Sequence, residues 1–299
     1  MLIAEISALG AAFCWAITGL ISINPIRKLG PLSFNKVRMV MVFFLLAAIS
    51  LANGAWRELS WATFQLLTIS GIVGIFLGDT ALFASLQRLG PSRSSVIFAL
   101  NAPMTVILGW FVLEEHLSFP TLFGCILVFT GVLIAIVGRR DQKEPLSIDS
   151  THGQLKYGIL LGILAAFGQA AGAIIVRPIM SEGFDPVTAA AIRVGISAVC
   201  LILLSFIPNP VFKPKTPYTL KLIGMIMISG FLAMGLGMTL LLYGLSLGET
   251  GVVTTLSATT PVLILPMLWL KTGIRPPLLA WLGALVTFIG ISFITIVWE

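Results

Sequence analysis

The chain reads as an all-α integral membrane protein, ten transmembrane helices arranged as two inverted five-helix repeats. Three observations predict this. Of its 299 residues 58% are hydrophobic and 10% charged, with a mean hydropathy of +1.05, whereas soluble domains carry about 25% charged residues. Ten apolar runs reach the roughly 20 residues that a helix rising about 1.5 Å per residue needs to cross a bilayer. The last five runs repeat features of the first five.

In order, the runs are residues 6–24, 32–51, 64–86, 94–113, 119–137, 157–176, 186–207, 222–247, 251–270 and 277–297, separated by short polar breaks. The first has no basic residue before it, so it lacks the leader of a secretory signal peptide and is expected to stay in the protein. The second carries Arg38. The third holds Gly71, Gly74, Gly78 and Asp79, and the eighth Gly230, Gly235 and Gly237, small residues that let membrane helices pack closely. Pro103 in the fourth run, and Pro261 and Pro266 in the ninth, are expected to kink their helices. The ten runs fill about two thirds of the chain, leaving no room for a soluble catalytic domain. No GxxxxGK[ST] loop is present to cradle a nucleotide phosphate, so the chain is read as not an enzyme and not fuelled by ATP.

The repeat is visible in the letters. "AAFCWA" at 11–16 is echoed by "AAFGQA" at 165–170, and "GPLSFNKVR" ending at Arg38 by "FDPVTAAAIR" ending at Arg193. "GDT" at 78–80 faces "GMT" at 237–239, Pro103 faces Pro261, and Gly124 and Gly131 face Gly283 and Gly290. The offset drifts only from 154 to 159. This divides the chain into a first repeat at 3–138, a polar linker at 139–155 and a second repeat at 156–297.

Five helices per repeat is an odd number, so the second repeat must start on the other side of the membrane. The loops after the odd-numbered runs hold 14 Lys and Arg residues; those on the opposite face hold Arg57 and Arg177 alone, beside Glu58, Glu114, Glu115, Glu182, Asp185 and Glu249. By the positive-inside rule the basic face, linker included, is expected to be cytoplasmic and both termini periplasmic. Topology thus explains the net charge of +6 without nucleic acid as a partner. Cys14, Cys125 and Cys200 fall inside runs, and His116 and His152 lie in loops far apart, so neither a disulfide framework, a metal site nor another cofactor is expected. The expected partners are a small-molecule substrate and membrane lipid, with homodimer formation left open. Inverted repeats mark secondary transporters, whose halves rock about a site near the bilayer midplane.

The segments "PMTVILGWFVLEEHLSFPTLFGCILVFTGVLIAIV" and "PVLILPMLWLKTGIRPPLLAWLGALVTFIGISFITIV", which close the two halves, resemble the EamA-type members of the drug/metabolite transporter superfamily. The pattern carried here is Pro103, the acidic Glu115 at the end of the fourth helix, and Gly124 and Gly131. The second half keeps Pro261, Gly283 and Gly290 but has Thr272 and Gly273 where the acid would fall. The resemblance implies proton-coupled or exchange transport, usually export, in a bacterial inner membrane, with substrates ranging over amino acids, amphipathic metabolites, sugars and drugs. A non-transporting membrane scaffold, or a flippase subunit for lipid-linked substrates, is the alternative on the same fold.

Polar groups inside the runs are the candidates for a midplane site. Trp15, Asn101, Gln169, Tyr243 and Thr259 are read as substrate-binding; Trp15 corresponds to Gln169, and Asn101 to Thr259. A charge near the bilayer centre costs about 2.5–3.5 kcal/mol and needs a partner or water. Arg38 lies roughly 9 Å inside the second helix and Asp79 roughly 10 Å inside the third, at about 1.5 Å per residue. Their matched depths predict an ion pair, with Asp79 as the proton-responsive group; the alternative is that Arg38 snorkels to the cytoplasmic loop. Arg193, the repeat equivalent of Arg38, faces Met238 in the place of Asp79 and is read as a contact for a substrate carboxylate, with Glu182 or Asp185 as the bland alternative.

Overall fold

The computed structural model describes residues 2–138, 155–208 and 213–295. Ten helices are long and apolar enough to cross a membrane: α1 Leu2–Leu29, α2 Pro31–Asn53, α3 Trp61–Leu89, α4 Arg93–Leu113, α5 Phe119–Gly138, α6 Leu155–Ser181, α7 Pro186–Leu204, α8 Leu220–Leu247, α9 Thr250–Thr272 and α10 Leu278–Thr295. Among the described residues there is no strand. Each apolar run has its helix. The linker read at 139–155 lies, Leu155 apart, outside the described residues, as does the last run beyond Thr295.

Helix ends follow local chemistry. α2 opens on Pro31 after Gly30 at φ 81°, so α1 and α2 are joined by a single residue; proline suits a first turn, where its missing N–H has no partner anyway. The side chains of Ser60, Asp185 and Thr219 accept from the backbone N–H of Thr63, Thr188 and Leu222 and so cap α3, α7 and α8.

Four helices are irregular, in matching pairs. α4 is interrupted at residues 99–100 and α9 at 258–259, each just before its proline, Pro103 and Pro261. Proline removes a donor and crowds the preceding turn. Pro266, expected to act likewise, leaves its helix continuous. α3 and α8 widen into π geometry over Gly71–Leu77 and Phe231–Gly237, immediately before and into the GDT and GMT triplets. Such stretches are rare and concentrate at functional sites. Two of their carbonyls are claimed from outside: Ala233 O accepts from Trp15 Nε1 at 3.0 Å, and Gly71 O from Ser197 Oγ at 3.0 Å.

Packing joins the halves. α1 lies against α8 and α9, α6 against α3 and α4, α2 against α7, α4 against α9 and α5 against α10. Exchanging the halves returns the same set, the pattern expected of two repeats related by a two-fold. The α5–α10 contact shows this at atomic scale. A methyl added at Gly124 would sit 2.9 Å from Gly290 O, and one at Gly290 would sit 2.8 Å from Gly124 O, so only glycine permits this approach. Large apolar side chains such as Phe111, Leu220 and Phe288 cover the outside, as lipid requires.

Candidate functional site

A cavity of about 440 Å³ lies between the halves. Its walls come from α1–α4 of the first half and α6, α8 and α9 of the second. The interruptions in α4 and α9 put Ala99, Asn101, Ala258 and Thr260 on the wall, where irregular backbone is tolerated because it borders a cavity rather than lipid. From there the cavity runs to Ile26, Pro31 and Gln87, beside the basic loops; this is the basic end. The loops with the acidic residues form the acidic end, where the wall stops at Thr254, one turn into α9.

Arg38 and Asp79 meet on this wall. Arg38 Nη2 stands 3.5 Å from Asp79 Oδ2 and donates to Asn35 Oδ1 at 2.6 Å, while Asn35 Nδ2 lies 3.5 Å from Asp79 Oδ2. The guanidinium covers the Phe34 ring at 5.2 Å, a cation–π contact. Gly230 on α8 makes room for this arginine, since a methyl there would lie 3.0 Å from Arg38 Cγ. Asn35 was not among the sequence candidates. The signal was available: it sits three residues before Arg38, on the same helix face.

Trp15, Asn101 and Gln169 also line the cavity. Trp15 is fixed by its bond to Ala233 O, and Asn101 Nδ2 donates to Phe98 O at 2.7 Å across the interruption in α4. Three expected positions lie off the cavity wall. Tyr243 is 42% exposed on the surface of the bundle, away from the cavity. Thr259 is buried with its hydroxyl on Leu256 O at 2.7 Å, and its neighbour Thr260 takes the wall; one residue is about 100° of turn on a helix. Arg193 is 3% exposed and lies behind Met238, whose sulfur accepts from Nη1 at 3.4 Å and whose side chain borders the cavity. Its Nε has no hydrogen-bond partner. Neither bland alternative serves it, for Asp185 caps α7 through Thr188 and Glu182 is exposed.

A likeness to known proteins accompanies this geometry. The chain is 30% identical over 206 residues to an uncharacterized transporter of Archaeoglobus fulgidus, covering 67% of this chain and 66% of that one. It is 27% identical over 151 residues to a transporter of Bacillus subtilis, covering 50% and 47%. The aligned stretches thus span just under two thirds and about half of those relatives. A solved crystal structure has the same fold, with a TM-score of 0.80 at 16% identity over 98% of this chain and 96% of that one. The EamA-like transporter family matches residues 2–137 and 156–296, one stretch in each half, and the chain belongs to that family.

Proposed function

We propose that this membrane transporter is a secondary transporter of small organic solutes, such as amino acids or amphipathic metabolites, working by alternating access. The observation that carries the reading is the cavity between the halves, whose wall stops at Thr254 toward the acidic end and runs to Ile26, Pro31 and Gln87 toward the basic one, walled largely by apolar side chains and bearing one ion pair. Such a wall suits a solute with an apolar body and a polar head. The hydroxyls, amides and charges on it favour transport over a scaffold, whose interior would be filled. With the basic end cytoplasmic by the positive-inside rule, both termini are periplasmic, the state is inward-facing, and the membrane is the bacterial inner membrane. Loading from the cytoplasm makes the direction export, and Asp79 answers the proton gradient through its pairing with Arg38. Trp15, Asn101 and Gln169 contact the solute, and Arg193 joins them when Met238 moves aside.

The test is transport in proteoliposomes, screening amino acids and amphipathic amines with and without an imposed pH gradient. Gradient-dependent movement, lost in Asp79→Asn, is expected. No movement of any solute, or an Asp79→Asn variant with an unchanged gradient response, overturns the corresponding part of the reading.

A further inference from the structure

At the acidic end one carboxylate ties the two halves together. Glu115 follows α4 through Glu114, whose φ of 54° makes it the one non-glycine residue with positive φ among the described residues. That left-handed turn is a strained one for a residue with a side chain. It bonds Glu115 N to Gly109 O at 3.1 Å and folds the side chain back over Gly109, where a methyl would lie 3.1 Å from Oε2. The carboxylate there accepts from three donors of the second half. Thr250 N reaches Oε2 at 2.7 Å, Thr250 Oγ1 reaches Oε1 at 2.8 Å, and Arg177 Nε reaches Oε1 at 3.3 Å. The Glu115 and Arg177 side chains are 13% and 18% exposed. Charge-assisted bonds to a shielded group are the strong ones. Glu249 stands beside this cluster, and burial together with the Glu115 charge pushes its carboxyl above the usual range, while Arg177 acts against that.

The cluster lies one helical turn beyond the cavity wall on α9. Thr254, the last wall residue of α9 toward the acidic end, donates to Thr250 O at 2.7 Å one turn away. The mirrored place at the basic end is different. α9 ends, like α4, on a left-handed residue, but this is Gly273 at φ 70°. Ile274, 61% exposed, follows where Glu115 follows Glu114. Aligning the caps in this way moves the equivalence by one residue from Gly273, and either register leaves the second half without a carboxylate. The cavity wall runs on to Ile26, Pro31 and Gln87 toward the end that lacks it.

We infer that Glu115 is the gate residue of the acidic end: its bonds to Thr250 and Arg177 hold that end shut in this state and part when the transporter turns outward. The inference rests on the alternating-access reading. Its test is a reporter cysteine, Thr254→Cys, in a background with Cys14, Cys125 and Cys200 replaced, labelled by a membrane-impermeant maleimide added to either side of oriented vesicles. Glu115→Gln is expected to raise labelling from the acidic side about tenfold and to lower it from the basic side, as loss of charge-assisted bonds shifts the two-state balance. Thr250→Val, which removes one donor and leaves the charge pair, is expected to shift labelling the same way by a smaller factor. Unchanged acidic-side labelling in both variants, each eluting as a folded monodisperse species, overturns the gate. Shifted labelling with no solute transported by the unmutated chain keeps the gate and overturns the transport reading.

Discussion

Arg38 and Arg193 hold the same place in the two halves, and their surroundings have diverged. Each backs onto a glycine of the helix it crosses: a methyl at Gly230 would meet the Arg38 side chain, and one at Gly71 would lie 2.9 Å from Arg193 O. Arg38 faces the cavity with Asn35 and Asp79 around it. At the positions corresponding to those two partners Arg193 has Ala190 and Met238, and its one hydrogen bond from a terminal nitrogen goes to sulfur. The architecture therefore supplies the arginine, while its partners are set residue by residue. One half presents a paired arginine to the cavity and the other has its guanidinium behind the thioether of Met238.

The largest effect is expected from making the first half resemble the second. Asp79→Met leaves Arg38 buried without its counter-charge, and breaking one side of such a pair costs about 3–5 kcal/mol. Thermal unfolding of the purified protein should show it as a steep fall in midpoint, and a melt like that of the unmutated chain would mean that the pair contributes nothing. The reverse change comes next. Met238→Asp gives Arg193 a carboxylate, and a charge-assisted bond of about 1.5–3 kcal/mol should raise the midpoint while weakening transport of carboxylated solutes. Arg193→Gln is expected to reduce transport of carboxylated solutes about tenfold more than that of neutral ones, a difference of about 1.4 kcal/mol; equal loss of both sinks the idea of a reserve cation. Smallest is Asn35→Ala, which removes a bridging amide worth about 1 kcal/mol. A double-mutant cycle with Asp79→Asn should give a non-zero coupling, and strict additivity would show that the amide and the carboxylate act separately.

The same comparison shows what the letters carried. The ten helices, the interruptions at Pro103 and Pro261 and the meeting of Arg38 with Asp79 were legible, because run length, proline chemistry and depth in a bilayer are properties of single segments. The π stretches were not, since "GIVGIFL" and "FLAMGLG" have the composition of any packed membrane helix. Tyr243 was misplaced for a related reason. A helix between lipid and protein is apolar on both sides, so no amphipathic stripe reveals its orientation. The partners of Glu115 stand 62 and 135 residues away in the other half, beyond anything local spacing can express. The absence of a carboxylate after α9 was the one local hint that the ends of α4 and α9 differ.

The dominance of contacts between the halves has a consequence for synthesis. When the first five helices have entered the membrane and α6 has not, the faces that will receive α6–α10 have only lipid or the translocation machinery to meet. The Arg38–Asn35–Asp79 set lies entirely within that first half. It can close at once, sparing the bilayer a lone cation, whereas Glu115 must wait for Arg177 and Thr250 to be made. The order in which the chain leaves the ribosome is thus also the order in which its charges find shelter.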